Sequence, residues 1–237
     1  MKEKVLVLFS GGLDSVLATC KIVEEGYKAI LVYYDNGCGA GSENVKKTAD
    51  RVIERYGSEC VEFWGIGMTV GYFLALRHIY MNETVENLAQ KYPNLIYNQV
   101  NCLACRTSMY IYSILICKKI GIKKIAEGAR IDQLFAIEQE VMLNEYRKLL
   151  KEYDIELLTP VKDLDSDYKR EIELMIRQIS PKVLEPKCFL GVPMNKKLTE
   201  EELMDTVKYY KNELDSPCRE LIKNSKKIPI DNRGKMF

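Results

Sequence analysis

Apolar and polar positions along this chain fall into blocks with two different periods, and the blocks alternate. Residues 5–9 are a short continuous apolar run that stops at Ser10-Gly11-Gly12, and residues 16–25 resume with apolar positions at helical spacing. That pattern predicts strand, tight loop, helix. Residues 29–34 form a second apolar run closed by Asp35-Asn36-Gly37, residues 42–56 read as a helix, and residues 60–65 as a third strand. The stretch 68–99 is less regular, with helical pieces over 72–80 and 83–91 and a break at Tyr92-Pro93-Asn94. A long helix is predicted over 101–120, ended by Gly121, then a strand over 123–127, a helix over 134–153, a strand over 156–158 and a helix over 166–179. Beyond Pro186-Lys187-Cys188 the pattern is helical, with Thr199 capping one helix and Ser216 or Pro217 starting another.

Strands that alternate with helices imply an α/β fold, a doubly wound parallel sheet with right-handed crossovers and its ligands beyond the carboxyl ends of the strands. The expected division is one such domain over residues 1–190 and a small helical C-terminal extension over 191–237. A length of 237 residues is enough to bury a proper core. Lysine and arginine total 35 against 34 acidic residues, a net charge of +1, so a nucleic-acid partner would need a local basic patch. The candidates are Lys118-Lys119 with Lys123-Lys124, Lys196-Lys197, and Lys223 with Lys226-Lys227, each of which also reads as a solvated face. No signal peptide precedes the first strand and no apolar run is long enough to span a bilayer, so a cytoplasmic protein with no membrane partner is expected. The eight cysteines then read as thiols or metal ligands, not disulfides.

The chemistry starts in Ser10-Gly11-Gly12-Leu13-Asp14-Ser15. Glycines let the backbone approach an oxyanion, Ser10 and Ser15 add hydroxyl donors, and the positive end of the following helix favours phosphate. With no lysine in the loop, its phosphate contacts come from amides and hydroxyls, and Asp14 suits a magnesium ion or a helix cap. These residues resemble the SGGxDS signature of the PP-loop ATP pyrophosphatases, a Rossmann-like family that activates a substrate oxygen by adenylation and releases pyrophosphate. The resemblance implies ATP as cofactor, held by Ser10 to Ser15, with the second strand end at Tyr34 and Asp35 helping to hold the adenosine. Gly128-Ala129-Arg130-Ile131-Asp132-Gln133 resembles the GHxxDD turn of the tRNA-thiolating members. Only Gly128 and Asp132 match, Ala129 standing for the histidine and Gln133 for the second aspartate. Arg106 and Arg130 read either as phosphate-neutralising groups or as salt-bridged surface residues.

Cys102 and Cys105 have the CxxC spacing that lets two thiolates meet one metal, and a place at a helix start would lower their pKa. With Cys188 they resemble the three-cysteine [4Fe-4S] site of iron-sulfur-dependent tRNA thiolases, in which an open iron holds the sulfur to be transferred. The rival readings are a structural zinc closed by Cys218, a redox CxxC pair, or two buried thiols. Cys20, Cys60 and Cys117 read as packing residues, and Cys38 as packing, persulfide carrier or nucleophile. The only histidine, His78, reads as packed or capping.

The resemblance therefore implies an ATP-dependent sulfurtransferase that adenylates a carbonyl oxygen, on a tRNA base or a small molecule, and replaces it with sulfur. Asp14, Cys102, Cys105 and Cys188 are the catalytic candidates. The sequence does not specify the sulfur donor, and a homodimer is an admissible assembly. Two alternatives stay open: a 7-cyano-7-deazaguanine synthase-like enzyme, and a non-catalytic nucleotide-binding regulatory protein with structural zinc.

Overall fold

The two apolar runs nearest the N-terminus form the middle of the sheet, because they alone carry enough consecutive apolar side chains to be covered on both faces. The structure, a computed structural model, describes residues 2–164, 166–182, 185–190 and 196–225. Its elements are β1 (Lys4–Leu8), α1 (Leu13–Glu24), β2 (Lys28–Asp35), β3 (Gly39–Ala40), α2 (Glu43–Tyr56), β4 (Val61–Met68), α3 (Val70–Met81), α4 (Val85–Lys91), α5 (Tyr97–Ile120), β5 (Lys124–Ala126), α6 (Glu140–Lys151), β6 (Glu156–Leu158), α7 (Asp167–Ile176), β7 (Lys187–Cys188), α8 (Glu200–Tyr209) and α9 (Asp215–Asn224).

Five strands pair in parallel in the order β4-β2-β1-β5-β6. The chain winds outward to both sides of β1, which makes its carboxyl end the switch point where such sheets open a crevice. Side chains alternate cleanly across the sheet. Leu6, Leu8, Ile30, Val32 and Tyr34 join the core layer under α3 to α6, α8 and α9. Val5, Val7, Phe9, Ala29, Leu31 and Tyr33 join the layer under α1, α2 and α7. A second, two-stranded antiparallel ribbon pairs β3 with β7.

Three elements differ from the sequence pattern, each for a tertiary reason. The long helix α5 starts at Tyr97, not at residue 101, because Gln99, Val100 and Leu103 are buried and packing holds the extra turn in helix. It is long and apolar enough to cross a membrane by length and composition, contrary to the sequence expectation, yet most of its apolar stretch is buried inside the protein, as in a core helix. The helix expected over 134–153 is split into a short 3-10 turn, Ala136–Glu138, and α6, with Gln139 extended between them. Gln139 Nε2 donates to the Gln133 carbonyl at 2.6 Å and Glu138 Oε2 accepts from the Arg130 amide at 3.2 Å, so both side chains are tied to the preceding turn.

At the C-terminal end Thr199 caps α8 through a reciprocal capping box with Glu202. α9 starts at Asp215, so Ser216 and Pro217 fall in its first turn, not at its start. A π-helical turn, Tyr210–Leu214, joins α8 to α9 just before Pro217, widening the ladder where proline cannot donate. These helices lie on the shared core: Tyr209, Tyr210, Leu214 and Cys218 are buried, and the Tyr210 ring meets Tyr146 edge-on with centroids 5.4 Å apart.

Candidate functional site

After β1 the chain turns through Ser10, Gly11 and Gly12 into α1. Gly11 has φ +81°, a left-handed conformation that an L side chain would strain. The hydroxyls fold back onto the loop: Ser10 Oγ accepts from the Gly12 amide at 3.2 Å, and Ser15 Oγ accepts from the Gly11 amide at 3.1 Å. Gly12 is the N-cap residue of α1 and no side chain caps the helix, so the capping role considered for Asp14 is not filled. The loop therefore presents a helix start and two hydroxyls to the crevice, a setting for an anion. A carboxylate already lies there. Glu185 Oε1 accepts from Ser10 Oγ at 3.0 Å.

Asp14 is bracketed by guanidinium groups instead. Arg130 Nε lies 3.0 Å from Asp14 Oδ2 and Arg170 Nε lies 2.9 Å from Oδ1. Arg130 also pairs with Asp132 at 3.1 Å, and Arg170, 1% exposed along its side chain, pairs with Asp167. Burial pushes the Asp14 carboxyl up, against the pull of Arg130 and Arg170. With both oxygens facing cations, Asp14 does not fit as a magnesium ligand in this arrangement. Gly128 has its own steric reason: a Cβ there would lie 2.7 Å from the Asp14 carbonyl carbon and 2.8 Å from the Ser15 amide. Gly128, Arg130 and Asp132 are thus gathered onto the first turn of α1.

A cavity of about 380 Å³ opens between this loop, β2, β5 and α5. Its floor is a buried ion-pair group: Arg106 pairs with Glu127 and reaches Glu138 at 3.5 Å. Burial raises the Glu138 carboxyl to about 7, although Arg106 opposes it. Glu127 Oε1 has no hydrogen-bond partner among the described residues. Tyr34 lines the wall, but its hydroxyl is 2.6 Å from Ser113 Oγ inside the core, and Asp35 lies outside the lining, its Oδ1 accepting from the Gly37 amide at 2.8 Å. The adjacent Tyr33, on the other face of β2, also lines the cavity.

The thiols lie beside it. Cys102 and Cys105 fall in the second and third turns of α5, not at its start, and burial pushes their pKa up to about 11 and about 12. That overturns the expectation of helix-lowered thiolates. Cys188, exposed on β7, is close enough for its charge to raise both, and Asn36 Nδ2 donates to Cys105 Sγ at 3.0 Å. Cys38 adjoins Cys188 across the ribbon, where the Phe189 amide donates to the Cys38 carbonyl at 2.8 Å. Among the described residues no three ligand side chains converge to metal-binding distance. Cys218, the proposed fourth zinc ligand, is instead fully buried on α9 within reach of Tyr146 and Tyr210. His78 is exposed on α3. Gly191-Val192-Pro193 and Lys226-Lys227 lie outside the described residues.

The family model for the thiamine biosynthesis protein (ThiI) matches residues 1–180, which takes in the glycine loop, the Gly128 turn and both CxxC cysteines. The chain belongs to the ThiI family. A probable tRNA sulfurtransferase of Methanothermobacter thermautotrophicus is 24% identical over 131 residues, covering 55% of this chain and 30% of that protein. In fold, this ThiI-family chain resembles the crystal structure of a 4-thiouridine synthetase–RNA complex with bound ATP, with a TM-score of 0.56 at 17% identity, covering 94% of this chain and 54% of that one. The chain thus spans about half of the solved relative and under a third of the curated one.

Reasoning from sequence missed Arg170, Glu185, Glu127, Glu138 and Tyr33. Arg170 and Glu185 carry no local signal, since each reaches the loop from a remote segment. Glu127 could have been found as a carboxylate at a strand end facing the crevice.

Proposed function

We propose that this chain is the ATP-dependent catalytic part of a tRNA sulfurtransferase. The observation that carries the reading is the lysine-free loop Ser10 to Ser15 with two guanidinium groups, Arg130 and Arg170, fixed beside it by Asp14. Such a site receives phosphates through amides and hydroxyls and spreads their charge onto two fixed cations. It suits release of pyrophosphate, in which negative charge moves away from the α-phosphate.

In the proposed reaction a base carbonyl oxygen attacks the α-phosphorus of ATP. The bond to the β-phosphate oxygen breaks, pyrophosphate leaves, and the carbonyl carbon is left bonded to an AMP oxygen. A sulfur nucleophile then bonds to that carbon and the carbon–oxygen bond breaks, releasing AMP. Ser10, Ser15 and the first-turn amides of α1 orient the phosphates, and Arg130 and Arg170 neutralise them. Glu127 and Glu138 offer acceptors at the cavity floor for ring N–H groups of a base, with Arg106 holding both in place.

Cys102, Cys105 and Cys188 are the donor types that a [4Fe-4S] cluster takes, and they would have to close up from the arrangement described here, in which no three ligand side chains among the described residues converge to metal-binding distance. These three residues would hold it. When bound, such a cluster would supply an open iron able to carry sulfide.

The test is product analysis with anaerobically prepared protein, tRNA, sulfide and ATP. AMP and pyrophosphate in step with thiolated tRNA are expected; ADP and orthophosphate would sink the reading. Binding of tRNA should weaken with salt through local lysines, because the net charge of +1 supplies little attraction. A protein that forms AMP with a free nucleobase and shows no salt-dependent tRNA binding would move the substrate to the small-molecule class.

A further inference from the structure

The segment 185–190 touches both halves of the site. At one end the Glu185 carboxylate rests against the glycine loop: besides the bond from Ser10 Oγ at 3.0 Å, a Cβ placed on Gly12 would lie 2.7 Å from Glu185 Cδ and 2.8 Å from each carboxylate oxygen. The carboxylate therefore fills the space that the missing Gly12 side chain leaves open. That is the space in which a phosphate would approach the loop, and two anions cannot share it without strong repulsion. Three residues further on, Cys188 pairs with Gly39 in the β3–β7 ribbon, and Phe189 is bonded to the Cys38 carbonyl. Pro186 joins the two ends and adjoins Gly41, its Cα 3.6 Å from where a Gly41 Cβ would be. Its ring fixes φ, so this link has few ways to absorb a shift of Glu185 without passing it on.

We propose that Glu185 is an internal stand-in for the nucleotide phosphate, and that ATP expels it from the loop and in doing so shifts Cys188 relative to Cys102 and Cys105. This rests on the ATP reading given above. Phosphate occupancy and thiol geometry become two readouts of one equilibrium. Glu185 seated in the loop competes with ATP, and Glu185 released leaves the loop open and the ribbon displaced. If the carboxylate occupies the loop nine-tenths of the time, the apparent affinity for ATP is reduced about tenfold. By linkage, anything that holds Cys188 in its displaced position would tighten ATP binding by the same factor that ATP favours the displacement. Sulfur chemistry would then be enabled only when nucleotide is present to activate the acceptor.

The test uses the full-length chain as wild type, Glu185→Gln and Glu185→Ala. Glu185 is solvent-exposed, so neither change should disturb folding. ATP affinity is measured by titration calorimetry, and hydrogen exchange is followed in the peptide containing residues 185–190. Glu185→Ala is expected to bind ATP about five- to tenfold more tightly than wild type, with Glu185→Gln between them. In wild type ATP should raise exchange at the Phe189 amide, which the ribbon protects through the Cys38 carbonyl; in Glu185→Ala exchange should start high and ATP should add nothing. Wild-type ATP binding with unchanged exchange in that peptide, or variants that bind ATP equally or more weakly, would overturn the proposal while leaving the ATP reading in place. If none of the three proteins binds ATP, the ATP reading falls and takes this proposal with it.

Discussion

Arg130 Nε lies 3.0 Å from Asp14 Oδ2, so the turn after β5 is tied by charge to the first turn of α1. Arg170 adds a second cation to the same carboxylate from α7. Both arginines are buried, and removing Asp14 takes from each the carboxylate that faces its Nε, while Asp132, Asp167 and the Leu164 carbonyl still hold them. Asp14→Asn is expected to lose about 2 kcal/mol of stability, a fall in Tm of about 4–8 °C for a chain of this size. It should also lower ATP-dependent AMP formation by at least about a hundredfold, because the two guanidinium groups lose their alignment. An unchanged melting curve would show that the pairing does not hold in solution.

Gly128 and Gly12 differ in what a methyl group would strike. At Gly128 the obstacle is the backbone of Asp14 and Ser15, at 2.7 and 2.8 Å, whereas at Gly12 it is only the end of the Glu185 side chain. Gly128→Ala should therefore displace the phosphate loop and weaken ATP binding about tenfold or more, with a loss of about 1–3 kcal/mol. Gly12→Ala should leave the melting temperature close to wild type. Equal effects on Tm at the two positions would contradict this.

Glu138 gives the protein a pH dependence with a definite sign. Its folded pKa, about 7, lies above the ordinary carboxyl value of 4.5 because of burial. The folded state therefore holds a proton that the unfolded state releases between those values. Stability contributed by this group is complete below pH 4.5 and is lost as pH rises to about 7. Glu138→Gln should flatten the fall in Tm over that interval relative to wild type, by an amount equivalent to about 1–3 kcal/mol. Parallel curves for the two proteins would refute the assignment.

The cysteines make separable predictions. Anaerobic protein is expected to be brown, with the colour removed by serine at Cys102, Cys105 or Cys188. Cys218→Ser should keep the colour and lower stability by about 1–3 kcal/mol, because it places a hydroxyl in an apolar core. Stoichiometric zinc in place of iron, lost with Cys218→Ser, would require Cys218 to leave its core position and would overturn the set.

What the sequence made legible is what local spacing encodes. The buried double-faced strands, the glycine loop, the Gly121 stop and the Thr199 cap each follow from residues within a turn or two of one another. What it hid depends on partners far along the chain. Arg170 and Glu185 reach the loop from positions more than 150 residues away from Asp14 and Ser10. The start of α5 was placed late because burial of Gln99 and Val100, not capping chemistry, decides it. The same late start puts Cys102 and Cys105 at a helix end that would favour thiolate, whereas they lie half-buried within α5 and burial raises their pKa. Cys218 looked like a metal ligand because a cysteine beside proline carries no mark of the core it enters.

The three candidate thiols stand on supports of unequal strength. Cys102 and Cys105 ride on α5, whose buried face reaches from Gln99 to Cys117, so their backbone opens only when the whole core gives way. Cys188 is gripped by a ribbon two rungs long. If the three thiols hold a common group, the ribbon is the side expected to yield first, so the group would be released while the core around α5 stays closed.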